Sequence, residues 1–518
     1  MAAPSQVDQS LTRRLVQIAP ASVLVQILSF ASSIALATQL GATGATDAYY
    51  LALSVPAVSY AVLLAALRLG GIPTLTRLQR TCTLGDFTAA CNELVTATAV
   101  AGAVLTAVVS GVMAIALPAV AGADPAVATL TREFILELAP YAVTGALLGA
   151  LGAILAVQGR FVIATLVLAV EPVLKSVLVI FLHRQLGAQT LVLGSIVGNA
   201  IAVGVLWVAV RHGGVALRIV PHFASPVAVE VAKLSAPLVV SQSVLQLNPL
   251  IDRTTAADLG RGSVTVFELG VRLFTVPVSL LGATLVAPLA ATWSQRLLDE
   301  GWEAVTRSFA RILAAVAITV PPLVVVGFVL RDDLVAIAYS SHAYTTHAVD
   351  ETGAVMGVLL LGLVAQIAIV PLSTLFVIRR DTMFPMKVGL ANVILNAGLD
   401  LLLRGPFGVA GIGASTAITL TVLAAVYARA AHRRWGSLHL RRILRPAAVS
   451  LCSCAVIAPL AVWISEAAGA SGRTRIDALV LVIIVAVGAG TIHGISAAIG
   501  GVWGGKGALW TRGVRWVS

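Results

Sequence analysis

Charged residues are scarce in this 518-residue chain, because only 11% of its positions are Asp, Glu, Lys or Arg. Soluble globular proteins carry about 25% charged residues, so this chain has too little polar surface to cover its apolar bulk in water. Cysteine is also scarce: four residues in the whole sequence exclude a disulfide-stapled scaffold. A hydrophobic content of 58% and a mean hydropathy of +0.97 exclude intrinsic disorder. The composition indicates a polytopic membrane protein rather than a soluble enzyme.

Basic residues outnumber acidic ones by 34 to 23, which gives a formal net charge of +11. In a soluble protein such an excess would suggest nucleic-acid binding, but no basic globular domain is present to hold a nucleic acid. In a membrane protein the excess indicates cytoplasmic loops that face anionic headgroups. We therefore predict that the chain contacts a membrane and has no nucleic-acid partner.

Fourteen stretches are long and apolar enough to form spanning helices, each of which needs about 20 residues. These stretches lack the short alternating pattern of outer-membrane strands, so the predicted fold is an all-α polytopic membrane protein. The first stretch follows Arg13 and Arg14 and is too long for a signal-peptide core, which predicts a retained helix. The predicted spans are 15–37, 48–69, 93–117, 134–157, 161–182, 188–210, 229–250, 264–290, 312–330, 354–378, 386–403, 408–428, 447–465 and 477–499.

The distribution of basic residues between alternate loops predicts the orientation of these spans. With the N-terminus inside, 23 basic residues fall on the cytoplasmic side and 8 on the outer side, and the remaining three lie within or at the ends of spans. Cytoplasmic loops of membrane proteins carry an excess of Lys and Arg. We therefore predict a multi-pass protein of the cytoplasmic (inner) membrane with both termini in the cytoplasm.

The chain also resembles itself at one constant offset. Ser54-Val55-Pro56 recurs as Thr275-Val276-Pro277, and Gly187 recurs as Gly408 at the same spacing. Each repeat holds six spans, an even number, so both copies share one orientation, as in transporters whose substrate site lies between parallel halves. The predicted domains are an N-terminal six-helix lobe at 1–221, a C-terminal six-helix lobe at 222–445, and two additional helices with a tail at 446–518.

Ionisable residues at membrane depth are candidate functional residues, because each costs at least about 2.5–3.5 kcal/mol there. Glu171 and Lys175 share one helix face, which predicts either a mutually neutralising pair or the polar wall of a cavity. Glu268 and Arg272 have the same spacing, and Arg272 is a candidate phosphate ligand or an ion-pair partner of Glu268. Arg68 either lines the cavity or extends toward the headgroups.

Oxygen ligands for a small cation occur in the eleventh and twelfth spans. Asn396 and Asp400 are four residues apart, and Thr416 would approach them if the two helices form a hairpin. Carboxylate, amide and hydroxyl oxygens are ligands of hard cations. A Na⁺ site and an ordinary interhelical hydrogen-bond cluster both fit this pattern.

We find no pattern that predicts an enzyme, and no cofactor is predicted apart from Na⁺ as a coupling ion.

Several segments resemble those of one known family, the MurJ (MviN) family of the MOP exporter superfamily. The segments are Gly41–Tyr50 with Ser54-Val55-Pro56, then Asp252-Arg253, Leu259–Val264, Arg272-Leu273 and Val276-Pro277, and finally Asn392–Asp400 with Gly408–Gly413. The layout of six, six and two spans is similar as well. The resemblance covers nearly the whole chain.

The resemblance implies a lipid flippase with two six-helix lobes that alternate between inward- and outward-open states. Members of this family carry lipid II, an undecaprenyl-pyrophosphate-linked cell-wall precursor, to the outer leaflet. A cavity arginine that binds pyrophosphate maps to Arg272, and the acid after the first loop maps to Asp47. A family Na⁺ site maps to Asp252, Asn396, Asp400 and Thr416. With Lys175, Glu171, Glu268 and Arg68, these residues are the predicted substrate and ion contacts.

Three alternatives remain open from the sequence. Where the family has charges in its first two helices, this chain has the uncharged segments 29–34 and 57–61. This difference favours another polyprenyl-linked saccharide as cargo, or a transport-dead scaffold that binds cell-wall synthesis enzymes through the basic segment 429–445. A cation-coupled multidrug exporter of the same superfamily would instead use Glu171 and Glu268 to bind cationic drugs.

Overall fold

The regular elements in the described part of the chain are all helices, as the composition predicts. The computed structural model describes residues 6–120, 124–220, 225–233, 246–285, 289–381, 383–436, 438–439, 441–467 and 475–499. The chain forms two compact units: Met1–Glu268 with Ser341–Tyr344, and Leu269–Ser340 with Thr345–Ser518. The lobe boundaries predicted at residues 221 and 445 stay a prediction.

The first unit holds ten labelled helices. They are α1 Gln6–Leu40, α2 Gly44–Ala66, α3 Ile72–Thr81, α4 Leu84–Val120, α5 Pro125–Glu137, α6 Ala139–Val157, α7 Phe161–Leu166, α8 Val170–Leu186, α9 Gln189–His212 and α10 Leu247–Ala257. Helix α11, Ser263–Leu285, begins in the first unit and continues into the second.

The second unit holds the remaining helices. They are α12 Leu289–Asp299, α13 Trp302–Val329, α14 Arg331–Tyr339, α15 Thr346–Leu361, α16 Leu363–Ile378, α17 Met383–Trp435, α18 Arg441–Ala467 and α19 Arg475–Ile499. The last two helices pack against each other and against α13 and α14. The apolar cluster between them contains Leu330, Ala461, Leu481 and Val485.

In the described residues, eleven helices are long and apolar enough to cross a membrane, or twelve if the bent pair α15–α16 is one span. The predicted count of about fourteen is therefore not confirmed. Helix α17 runs for 53 residues and covers two predicted spans, 386–403 and 408–428, with non-helical backbone at Gly408 between them. The predicted span 229–250 falls largely on 234–245, which lies outside the described residues.

Backbone conformation at two glycines supports the internal repeat. Gly187 has φ +52° and ψ −134°, and Gly408, its counterpart in the second repeat, has φ +57° and ψ −139°. Residues with a Cβ rarely adopt such angles, so both positions require glycine. In each unit the glycine lies between two apolar helical segments, α8 and α9 in the first and the two halves of α17 in the second. The same turn therefore recurs at the same place in both repeats.

Candidate functional site

Glu171 and Lys175 form an ion pair on one face of α8, as their spacing predicts. The Lys175 Nζ atom lies 2.7 Å from the Glu171 Oε1 atom, and the two side chains are 15% and 17% exposed. The Ser195 hydroxyl on α9 donates to Glu171 Oε1 over 3.2 Å, and Lys175 Nζ donates to the Tyr49 hydroxyl over 3.4 Å. The Tyr49 and Ser195 hydroxyls are 2.9 Å apart. These four side chains connect α2, α8 and α9 in one polar cluster.

Two glycines in α9 allow this cluster to form at close range. A Cβ atom on Gly194 would lie 2.7 Å from the Lys175 Cα atom, and one on Gly198 would lie 2.6 Å from the Glu171 Cα atom. Small residues four apart let the backbones of membrane helices approach closely. The approach brings the Ser195 hydroxyl, between the two glycines, within hydrogen-bond distance of the ion pair.

A second ion pair forms in the first unit, between Arg253 of α10 and Glu268 of α11. The guanidinium lies 2.9 Å from Glu268 Oε2, and the two side chains are 14% and 16% exposed. Arg253 Nη1 also donates to the Ser54 hydroxyl of α2 over 2.8 Å. Sequence spacing allows Arg272 as an ion-pair partner of Glu268. The structure instead pairs Arg253 with Glu268, because their helices are adjacent.

Asp47 holds the N-terminus of α11 from the first turn of α2. Its carboxylate accepts hydrogen bonds from the backbone N–H groups of Gly262 and Thr265 and, over 2.7 Å, from the Thr265 hydroxyl. The side chain is only 2% exposed. A carboxylate at a helix N-terminus satisfies otherwise unpaired N–H groups and is stabilised by the helix dipole. Asp47 therefore has a structural role in this conformation, whereas its predicted substrate contact remains a prediction.

Asp124 is a second carboxylate that caps a helix, in this case α5. Asp124 accepts a hydrogen bond from the backbone N–H of Ala126 at the start of α5, and it lies 3.0 Å from the Arg261 guanidinium. The Ala126 N–H and, after it, the Arg261 side chain lower the pKa of Asp124. This ion pair connects α5 to the loop that precedes α11, on the exposed surface beside Asp47.

Arg272 lies in α11, four residues after Glu268, and is half-buried. Within the described residues of its own unit, it has no ion-pair partner. Arg68 falls in a π-helical segment, Leu67–Gly71, that continues α2. The Arg68 side chain lies outside the described residues, so its predicted role is a prediction still.

The predicted cation ligands are divided between the two units. Asp252 is 8% exposed and belongs to the first unit, while Asn396 and Asp400 are buried in α17 of the second. Asn396 Nδ2 donates to Asp400 Oδ2 over 3.2 Å, and the Ser415 hydroxyl donates to Asp400 Oδ1. Thr416 donates to the Ile412 carbonyl over 3.3 Å. The hairpin at Gly408 thus brings Ser415 to the Asp400 carboxylate, while Thr416 bonds its own helix.

Sequence reasoning missed four residues that contact the predicted ones: Tyr49, Ser195, Arg253 and Ser415. A usable signal existed for one of them, because Ser195 lies inside the small-residue motif Gly194-x-x-x-Gly198. The other contacts join residues far apart in the chain or depend on the turn at Gly408. In the described residues, no three His, Cys, Asp or Glu side chains converge to hold a metal ion.

Residues 36–482 match the family model described as "Lipid II flippase MurJ". Among curated proteins, a probable lipid II flippase MurJ of Rhizobium tropici is 24% identical over 318 residues, which cover 59% of this chain and 58% of that protein. A second, from Synechocystis sp., is 24% identical over 312 residues, 57% of this chain and 58% of that protein. The chain thus spans less than two thirds of the length of these relatives.

Solved structures with similar folds include a lipid II flippase and a transporter of the MOP superfamily. A lipid II flippase MurJ in an inward closed conformation has a TM-score of 0.75 at 15% identity, over 93% of this chain and 98% of that one. An inward-facing multidrug resistance transporter of the MATE family has a TM-score of 0.67 at 15% identity, over 82% and 98% of the two chains. At these identities the likeness shows the fold alone.

Proposed function

Because this chain belongs to the lipid II flippase MurJ family, whose model matches residues 36–482, we propose that it moves lipid II across the membrane. The chain is a multi-pass membrane protein with the fold of MOP superfamily transporters. The proposed mechanism is alternating access, in which the saccharide headgroup crosses inside the protein while the polyprenyl tail stays in the bilayer. The loop charges support an orientation with both termini in the cytoplasm.

Arg272 is the residue that carries this proposal. A guanidinium stays charged when it is buried and binds phosphate oxygens through two parallel N–H donors. Lys175 and Arg253 are each held by a carboxylate, but Arg272 has no ion pair within the described residues of its unit. Arg272 is therefore the proposed pyrophosphate ligand. Lys175 would join it only if its pair with Glu171 opens, so we assign it a secondary contact.

The carboxylates have a different role in this mechanism. Glu171 and Glu268 neutralise Lys175 and Arg253 and keep these cations from holding the headgroup too tightly for release. Conduction through such a site requires binding that is strong enough for entry and weak enough for exit. Asp47 holds the N-terminus of α11, the helix that bears Arg272, and so supports the position of this ligand.

Na⁺ is the proposed coupling ion, with Asn396, Asp400 and Thr416 of α17 as its proposed ligands. The residue types present fit the ion, because the fully buried Asp400 carboxylate and the Asn396 and Thr416 side chains all carry oxygen atoms. Hard cations prefer such oxygen donors. When bound, Na⁺ would supply positive charge that neutralises the Asp400 carboxylate. Flipping that is equally fast in Na⁺ and in choline at the same ionic strength would contradict this assignment.

Flipping of fluorescent lipid II in proteoliposomes tests the main proposal. We expect wild-type protein to expose the headgroup on the opposite face and Arg272→Ala to lose this activity while keeping its thermal midpoint. Arg211→Ala, at the exposed end of α9, is the matched control and should flip normally. Native mass spectrometry should show lipid II retained over phosphatidylcholine, with the retention lost in Arg272→Ala. Full flipping by Arg272→Ala would exclude the proposed ligand.

A multidrug exporter is the second candidate, because a MATE transporter shares the fold with a TM-score of 0.67. Its cationic drugs would need an available carboxylate, and Glu171 and Glu268 are each bound to a basic side chain. The flippase proposal is favoured for this reason. Counterflow of a lipophilic cation, without flipping of any polyprenyl-pyrophosphate lipid, would select the exporter. Absence of both activities would select a scaffold that binds cell-wall synthesis enzymes.

A further inference from the structure

Four arginines meet at one end of the second unit. Arg296 lies in α12, Arg307 and Arg311 lie in α13, and Arg442 lies in the first turn of α18. Arg296, Arg307 and Arg442 all lie within electrostatic range of Arg311. We call these four residues the arginine cluster. Three separate helices therefore bring positive charge to one place on the surface.

The packing of α18 along α13 places Arg442 beside Arg311. The Ser450 hydroxyl of α18 donates to the Ile318 carbonyl of α13. The two residues are 132 positions apart in the chain, which gives the register of the helix pair. Farther along, Ala461 and Leu330 share one apolar cluster at nearly the same offset, so the helices run parallel in a constant register. The same register, continued back by two turns, aligns Arg442 with Arg311. The juxtaposition of these two arginines is thus fixed by contacts within the helix pair.

Helix α12 is fixed over the same end of α13 by a buried tryptophan. Trp293 is fully buried, its indole N–H donates to the Ser308 hydroxyl over 3.1 Å, and its ring meets Phe309 edge-on at 6.2 Å. Arg296 follows Trp293 by three residues, and Arg311 follows Ser308 by three residues. Residues three apart lie on the same side of a helix, so the anchor directs both arginines to one surface.

Acidic residues also lie near the cluster. Arg307 pairs with Glu303 over 3.1 Å, on an exposed surface. Glu300 also lies within electrostatic range of Arg311. Like charges at such range destabilise the arrangement, and an anion among them would reverse this effect. The cluster therefore has the charge and the spacing of a phosphate-binding surface.

The surroundings of the arginine cluster indicate which kind of phosphate-bearing molecule would bind there. Helices α13 and α18 are both candidate membrane spans, so the cluster lies where spans begin. Leu444 is 67% exposed and Leu451 is 66% exposed, and residues seven apart share a helix face. Leu298 of α12 is 86% exposed on the same end of the unit. An apolar surface beside clustered arginines fits an acyl chain next to its headgroup.

We propose that the arginine cluster binds the phosphate of an anionic phospholipid, whose acyl chain lies along the Leu444–Leu451 face of α18. Juxtamembrane basic residues attract anionic lipids by about 1 kcal/mol each. The site is distinct from Arg272 and from the polar clusters of the first unit. It concerns a bilayer lipid that stays bound, not the transported cargo.

Native mass spectrometry of the full-length protein with phosphatidylglycerol or phosphatidylcholine tests the proposal. We expect at least one phosphatidylglycerol to be retained, and about 30-fold weaker binding in Arg311→Gln/Arg442→Gln, which corresponds to about 2 kcal/mol. Arg80→Gln/Arg211→Gln removes the same charge from exposed positions of the first unit and should change the affinity less than about threefold. Gel-filtration profiles of both double variants check that they fold.

Equal losses in the two double variants would overturn the proposal, because binding would then depend on net charge alone. Unchanged binding in Arg311→Gln/Arg442→Gln would overturn it too. Inorganic phosphate separates the lipid from the free anion: we expect millimolar phosphate to leave phosphatidylglycerol bound. Displacement at that concentration would show that the cluster binds free phosphate rather than a lipid.

Discussion

Replacing Lys175 by methionine should destabilise the protein by leaving the Glu171 carboxylate without its cation. Removal of one partner from a fully buried ion pair costs about 3–5 kcal/mol. In this pair the side chains are 15% and 17% exposed, and Ser195 continues to donate to Glu171. Both features reduce the penalty, and we expect a loss of about 2 kcal/mol in the free energy of unfolding.

The double variant Glu171→Gln/Lys175→Met separates charge from packing. Methionine keeps most of the lysine stem, and glutamine keeps the shape of glutamate, so the double variant leaves no uncompensated charge. We expect it to recover most of the stability that Lys175→Met loses. The measurement is the thermal midpoint in detergent, followed by gel filtration of heated samples, and the coupling between the two sites comes from the four-variant cycle.

Two outcomes would refute this reasoning. If Lys175→Met unfolds at the wild-type midpoint, the pair contributes nothing and Glu171 adapts without its partner. If the double variant is as unstable as the single one, the loss comes from packing against Gly194 and Tyr49 instead of from an unpaired charge. Flipping activity then assigns the functional role, because a stable double variant that fails to flip lipid II would make Lys175 a substrate contact.

Other substitutions test further contacts. Gly198→Ala should lower the thermal midpoint, because its Cβ atom would lie 2.6 Å from the Glu171 Cα atom, while Gly204→Ala, with nothing within 4 Å, should leave the midpoint unchanged or raise it. Asp47→Asn should cost about 1–2 kcal/mol by weakening the cap of α11, and a wild-type midpoint would exclude the cap. Burial raises the pKa of Asp332, so its ionisation destabilises the folded state as pH rises through the range between the unfolded and folded values. Asp332→Asn should therefore raise the midpoint at pH 7 and leave it unchanged at acidic pH, and a pH-independent effect would exclude this cause.

The fold could be predicted to the extent that it depends on local sequence. The hydrophobic runs identify the helices, and the internal repeat identifies Gly187 and Gly408 as equivalent before their shared conformation is known. The apolar runs on both sides of Gly408 predict two spans, 386–403 and 408–428, and the non-helical backbone at Gly408 divides α17 at that place. The number of spans was harder to predict, because hydropathy measures the length of an apolar run and carries no information on where a helix bends.

The candidate site shows the same division between local and distant contacts. Glu171 and Lys175 are four residues apart on one helix, so their pairing follows from helix geometry. Glu268 has a similar local candidate in Arg272, yet it pairs with Arg253 of the preceding helix, α10. Asp47, near the start of the first repeat, caps a helix that begins only in the second. Such contacts depend on tertiary packing, which the spacing of residues in the sequence does not report.

If the chain is a flippase, as proposed, charge pairing in the first unit limits which cations can bind an anionic cargo. Lys175 and Arg253 are neutralised locally, so neither attracts pyrophosphate unless its carboxylate is displaced. Under the proposed function, Arg272, which has no ion-pair partner in the described part of its own unit, would bind the headgroup directly. One guanidinium binds less tightly than a cluster, and weaker binding favours release on the far side. Affinity would then depend mainly on Arg272. Lys175 and Arg253 would bind the cargo only when a group as highly charged as pyrophosphate displaces their carboxylate partners.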